Sequence, residues 1–106
     1  MKVLVIGRLQ RILDAVIPVL QEAGFTASGV RTTAEAVTGV RSGAVDALII
    51  GAGVDRRSRR ALRSACAEHD VRVIEAEPRH GGPQTYVREE VVPLLRTTDG
   101  STIRRR

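Results

Sequence analysis

Lys2-Val3-Leu4-Val5-Ile6-Gly7 and Asp46-Ala47-Leu48-Ile49-Ile50-Gly51 are two apolar runs, each stopped by a glycine, and their reading decides the fold. A strand with one wet face alternates apolar and polar side chains. An unbroken run rich in Val, Ile and Leu belongs instead to a parallel strand covered by helices on both faces.

The segments around these runs supply the helices. Leu9, Ile12, Leu13, Val16, Ile17 and Leu20 recur at spacings of three and four, one wide apolar stripe of a helix ending near Gly24. Pro18 removes a donor inside it, so a bend and a distinct last turn are expected. Phe25 to Val30 reads as a weaker strand, with Ser28 and Gly29 suited to an edge. Thr32 and Glu35 form a capping-box pattern that opens a second helix through Val37 and Val40 to about Ser42, and Gly43 ends it.

Beyond the second run, Asp55 is placed to cap a third helix. Its spacing turns Ser58, Leu62, Ala65, Cys66 and His69 inward and Arg56, Arg59, Arg60 and Arg63 outward. Val71 to Glu75 is a fourth strand, Ala76 to Thr85 a loop rich in Gly and Pro, and a last helix carries Val87, Val91, Val92 and Leu95 on one side. Pro93 is a second helix irregularity. Residues 97–106 lack an apolar period and read as a basic, flexible tail after one domain over 1–96.

This alternation predicts an α/β fold, a three-layer α/β/α sandwich with a small parallel sheet of four strands, or five, in the order 2-1-3-4. The arrangement is doubly wound, flavodoxin-like or Rossmann-like. The second and fourth strands would be the edges, and either would serve a dimer contact.

Composition narrows the chemistry. The 106 residues suffice for one core, and with 42% hydrophobic but only 2% aromatic residues that core is built from Val, Ile, Leu and Ala. Base- or sugar-stacking surfaces are disfavoured. Cys66, the only cysteine, excludes an internal disulfide or a multi-cysteine zinc site and fits a reducing compartment. No apolar run approaches the ~20 residues of a membrane span, and no signal pattern follows Met1. A cytoplasmic protein is expected, with no membrane contact. The net charge of +5 is local: residues 97–106 hold three Arg and one Asp, so the rest of the chain carries +3.

From Gly24 to Gly51 the chain resembles the centre of a two-component response-regulator receiver domain, in its Gly-Phe strand opening, its Thr-Thr-Ala-Glu-Ala-Val helix start and its Asp-Ala-Leu-Ile-Ile strand. The likeness extends more loosely over residues 2–75. In that family an acidic pair after the first strand binds magnesium and an aspartate ending the third accepts the phosphoryl group. The matching places here hold Gly7 and Arg8, then Gly51, so the resemblance implies a degenerate receiver that is not phosphorylated in the usual way. The family's hydroxyl residue after the fourth strand is replaced in the region of Glu75-Ala76, and its lysine after a fifth strand has no counterpart.

Open α/β sheets bind ligands beyond the carboxyl ends of the strands where the order reverses. That crevice would lie between Gly7-Arg8 and Gly51-Ala52-Gly53, where glycines let a ligand approach backbone N–H groups and Arg8, Arg56 and Arg57 would hold phosphate or carboxylate oxygens. The plainer reading of the same glycines, and the stronger one, is that they let the chain turn out of the strands. No complete G-x-G-x-x-G or P-loop run is present, so a dinucleotide enzyme is not supported.

Arg56, Arg59, Arg60 and Arg63 form a candidate basic surface for nucleic acid or an acidic partner, or a solvated helix face. Cys66 with His69 reads as core packing rather than a nucleophile and base. Glu75, Glu77, Arg79 and His80 gather polar groups at one strand end, without a nucleophile or metal pair beside them. The expectation is a non-catalytic regulatory module working through a protein partner or as a homodimer. A small-anion or nucleotide-binding protein ranks second and nucleic-acid binding third. No metal or cofactor is expected.

Overall fold

The computed structural model describes residues 1–77 and 81–97. Strand and helix alternate as β1 (Lys2–Ile6), α1 (Gln10–Glu22), β2 (Thr26–Val30), α2 (Thr33–Arg41), β3 (Ala47–Ile50), α3 (Arg56–Glu68) and β4 (Arg72–Glu75). A helical run follows, made of α4 (Gly82–Tyr86), a π-helical turn (Val87–Val91) and α5 (Val92–Arg96). The four strands form one parallel sheet in the order β2-β1-β3-β4. Among the described residues no fifth strand joins it, and no helix is long and apolar enough to cross a membrane.

The unbroken apolar runs are explained by parity. Val3, Val5, Ala47 and Ile49 point to the face covered by α1 and the C-terminal run, where they meet Leu13, Val16, Leu20, Val91 and Leu95. Leu4, Ile6, Leu48 and Ile50 point to the opposite face and meet Val40, Leu62, Ala65 and Cys66 from α2 and α3. Both faces are therefore dry, as a three-layer arrangement requires.

Helix ends follow from local chemistry. Thr32 and Glu35 close a reciprocal capping box on α2, and Asp55 accepts the Ser58 N–H at the start of α3. α1 ends with Gly24 at φ +100° and a bond from the Phe25 N–H to the Leu20 carbonyl. α3 ends in the same way, Val71 N–H on the Cys66 carbonyl, but its left-handed residue is Asp70 at φ 58°. That conformation crowds a Cβ. Asp70→Gly is therefore expected to raise stability by about 1 kcal/mol, seen as a higher urea midpoint with an unchanged slope.

Four expectations are corrected. α1 runs unbroken through Pro18, without a separate last turn, because Val19 and Leu20 just beyond it are buried and hold the helix on the sheet. The helical run after β4 begins at Gly82, so the loop from Ala76 is shorter than expected; Pro83 falls in the first turn of α4, where no N–H is needed. His69, expected inward, is the exposed residue at the end of α3, because the helix stops there and the chain turns away at Asp70. β2, β3 and β4 each begin one residue later than expected, at Thr26, Ala47 and Arg72, with Val71 buried in the turn before β4.

The irregularity expected at Pro93 is the π turn. Pro93 has no N–H to donate, and the widened turn just before it bonds Val92 N–H to the Val87 carbonyl, keeping Val87, Val91, Val92 and Leu95 all buried. The expected tail lies outside the described residues except for Thr97.

Candidate functional site

At the carboxyl edge of the sheet the segments leaving β1, β2 and β3 are tied together by Arg8. Its guanidinium donates to the Arg31 carbonyl at 2.8 Å, Thr33 Oγ1 at 3.0 Å, Asp55 Oδ1 at 3.1 Å and Ser58 Oγ at 3.2 Å. Thr33 Oγ1 in turn donates to Ser58 Oγ at 2.8 Å, and Arg31 Nε reaches back to the Arg8 carbonyl at 3.3 Å. A planar, permanently charged fork suits this gathering of acceptors. Arg8 thus spends its terminal nitrogens on its own chain rather than offering them to an anion in the crevice. Thr33 and Arg31 were not singled out from the sequence.

The hydrogen bonds from Ser58, then Arg8, pull the Asp55 carboxyl down from its ordinary 3.8 to about 2. A depressed carboxylate stabilises the fold above its ordinary value, and that contribution disappears as pH falls through the folded value. Acid titration of the thermal midpoint is expected to show a loss between pH 3.8 and about 2 that is smaller in Asp55→Asn than in the wild-type chain.

Arg59 departs from its expected outer-face position. Its side chain folds back over the end of β4, with Nε on the Val54 carbonyl at 2.8 Å and the terminal nitrogens on the Gly51 carbonyl and Glu75 Oε1, each at 2.9 Å. Arg63 joins Glu75 at 3.0 Å to both carboxylate oxygens. Burial pushes the Glu75 carboxyl up, and the two arginines more than offset it, leaving it below its usual value. Glu75 is therefore committed to structure. Of the candidate basic surface, Arg56 and Arg60, with neighbouring Arg57, remain exposed and unpaired among the described residues.

The crevice beyond β1 and β3 is present as a cleft of about 390 Å³. Gly7, Gly51, Ala52 and Gly53 line it as expected, together with Arg8 and Glu77. Arg56 and Arg57 do not. The floor is apolar: Val5 and Ile49 from the sheet, Ile12 and Val16 from α1, Tyr86 and Val87 from the C-terminal run. No family model, curated protein or solved structure matches this chain.

Gly51 is constrained by its neighbour. A Cβ there would stand 3.0 Å from the Ile6 carbonyl oxygen, so the exits of β1 and β3 lie too close for a side chain without backbone movement. Glu77 donates its N–H to the Tyr86 hydroxyl at 3.4 Å, fixing the start of the loop against α4. Arg79 and His80, the other members of the candidate loop, lie outside the described residues.

Cys66 is fully buried, and burial pushes its thiol up to about 11, away from nucleophilic use. With His69 exposed at the helix end, the two do not form a catalytic pair. Among the described residues no group of three His, Cys, Asp or Glu side chains is placed to hold a metal ion.

Two further arginines act as helix caps. Arg96 donates to the Ala23 carbonyl at 2.9 Å, and Arg72 to the carbonyls of Leu94 and Thr97 at 2.7 and 3.0 Å. Cations are favourable at these electronegative ends.

Proposed function

We propose that this chain is a non-catalytic, receiver-like regulatory module that works through protein contact and takes no phosphoryl group. The observation that carries the reading is the occupancy of the chemical positions. Arg8 brings a fixed cation, already bound to Asp55, where the family's acidic pair would gather magnesium. Gly51, against the Ile6 carbonyl, stands where the acceptor carboxylate would be. The network that joins three loops is thus held by a side chain, in one state, instead of by a metal and a transferable group.

The contact surface is the open edge of β4. Among the described residues the strand pairs only with β3, and Leu94, 49% exposed, lies beside it through the bond of its carbonyl to Arg72. An unpaired edge next to an exposed apolar side chain suits a second copy across a two-fold axis. Sedimentation equilibrium is expected to show a concentration-dependent dimer that Leu94→Glu disrupts. A monomer at every concentration would overturn self-association.

A second reading, binding of a polyanion such as nucleic acid, is favoured only by exposed Arg56, Arg57 and Arg60. It requires affinity that falls steeply with salt, and its basic stripe lacks Arg59 and Arg63, which Glu75 holds.

A further inference from the structure

The walls of the cleft at the carboxyl edge of β1 and β3 disagree in chemistry with an anion site. Its apolar floor is Val5, Ile49, Val16 and Val87 of the main core, with Ile12 and Tyr86 packed against that core. The guanidinium on its wall, that of Arg8, is turned onto the Arg31 carbonyl, Thr33, Asp55 and Ser58. Glu77 also lines it, its N–H held by the Tyr86 hydroxyl. Among the described lining residues the one cation an anion would meet is that of Arg8, already committed to four acceptors, so the anion would leave water for little return.

Size points the same way. At about 390 Å³ the cleft falls within the range of roughly 300–1,000 Å³ that holds small organic ligands. Apolar cavities lined by aliphatic side chains stay dry and accept benzene-like guests. The mouth is kept open by Ala52 and Gly53; a Cβ at Gly53 would meet nothing nearer than Arg8 Cγ at 4.0 Å. Beside it stands Leu9, 52% exposed, an apolar side chain that a ring at the mouth would cover.

We propose that this cleft binds a compact, uncharged molecule with an apolar, ring-sized body, seated on Val5 and Ile49 and capped by Leu9. The site goes beyond the contact-module reading and does not depend on it, since the cleft opens at the carboxyl edge and the proposed dimer contact runs along β4.

The test is an amide NMR titration of the full chain with indole, with inorganic phosphate as the charged control. Indole is expected to shift the amides of Gly7, Gly51, Gly53 and Val87 saturably, and Ala76→Leu, which adds bulk to the cleft wall, to weaken it about tenfold. Ile12→Phe fills the same space from α1 and serves if Ala76→Leu fails to fold. The proposal is overturned if indole moves no amides saturably, if filling the cleft leaves the affinity unchanged, or if phosphate moves these amides where indole does not.

Discussion

Replacing Arg59 with alanine lowers the free energy of unfolding by about 2–3 kcal/mol, because charge-assisted hydrogen bonds to partly buried groups are among the stronger ones. Three acceptors on two segments lose the guanidinium together: the Gly51 and Val54 carbonyls in the loop after β3 and the Glu75 carboxylate ending β4, of which Gly51 keeps the Val54 N–H and Glu75 keeps Arg63. The side chain is only 20% exposed, so water replaces the guanidinium incompletely. Urea denaturation measures the loss. Arg59→Lys recovers only a minor part of it, since an ammonium cannot reproduce the fork that reaches two carbonyls and a carboxylate. A change within ~0.5 kcal/mol would mark Arg59 as a solvated surface residue.

Gly51→Asp, which on the proposed reading restores a carboxylate where a receiver carries its acceptor, is expected to cost about 2 kcal/mol and to confer no phosphorylation. The cost arises at the first added atom, 3.0 Å from the Ile6 carbonyl oxygen, where both partners belong to the sheet. The missing gain is expected from Arg8, which on the proposed reading stands where a receiver gathers its divalent cation and already binds Asp55. Thermal denaturation reads the first effect and intact mass after treatment with acetyl phosphate and magnesium reads the second. A variant as stable as the wild-type chain would mean that the strand exits can separate freely.

The order of the sheet was legible because it rests on features each segment carries by itself. Val3 to Ile6 and Ala47 to Ile50 announce dry strands by their lack of alternation, and Thr32 with Glu35 announces a helix start by spacing. Gly82-Pro83 was less legible: the same dipeptide that breaks a helix interior is accommodated in a first turn, and local sequence does not say which. His69 was misplaced because three-and-four spacing assumes that the helix continues, and α3 stops at Glu68.

The site was legible in its backbone and not in its side chains. Gly7 and Gly51 to Gly53 follow from where the strands end. Arg59 sits on a helix position whose Cα points outward, yet a long side chain with a charged head can bend back across a neighbouring strand end. Arg8 finds partners 23 to 50 residues away in the chain, which no local pattern reveals. The apolar floor of the cleft is likewise assembled from β1, β3, α1 and the C-terminal run, and only the packed fold brings those segments together.

The most direct measurement is the intact mass of the wild-type chain after incubation with acetyl phosphate and magnesium, paired with its amide spectrum before and after. The account predicts an unmodified mass and an unchanged spectrum, because on the proposed reading Arg8 and Gly51 occupy the places of a receiver's acidic pair and acceptor aspartate. A phosphoryl adduct on an aspartate or glutamate beside that edge, with shifts spreading through the Arg8 network, would contradict it.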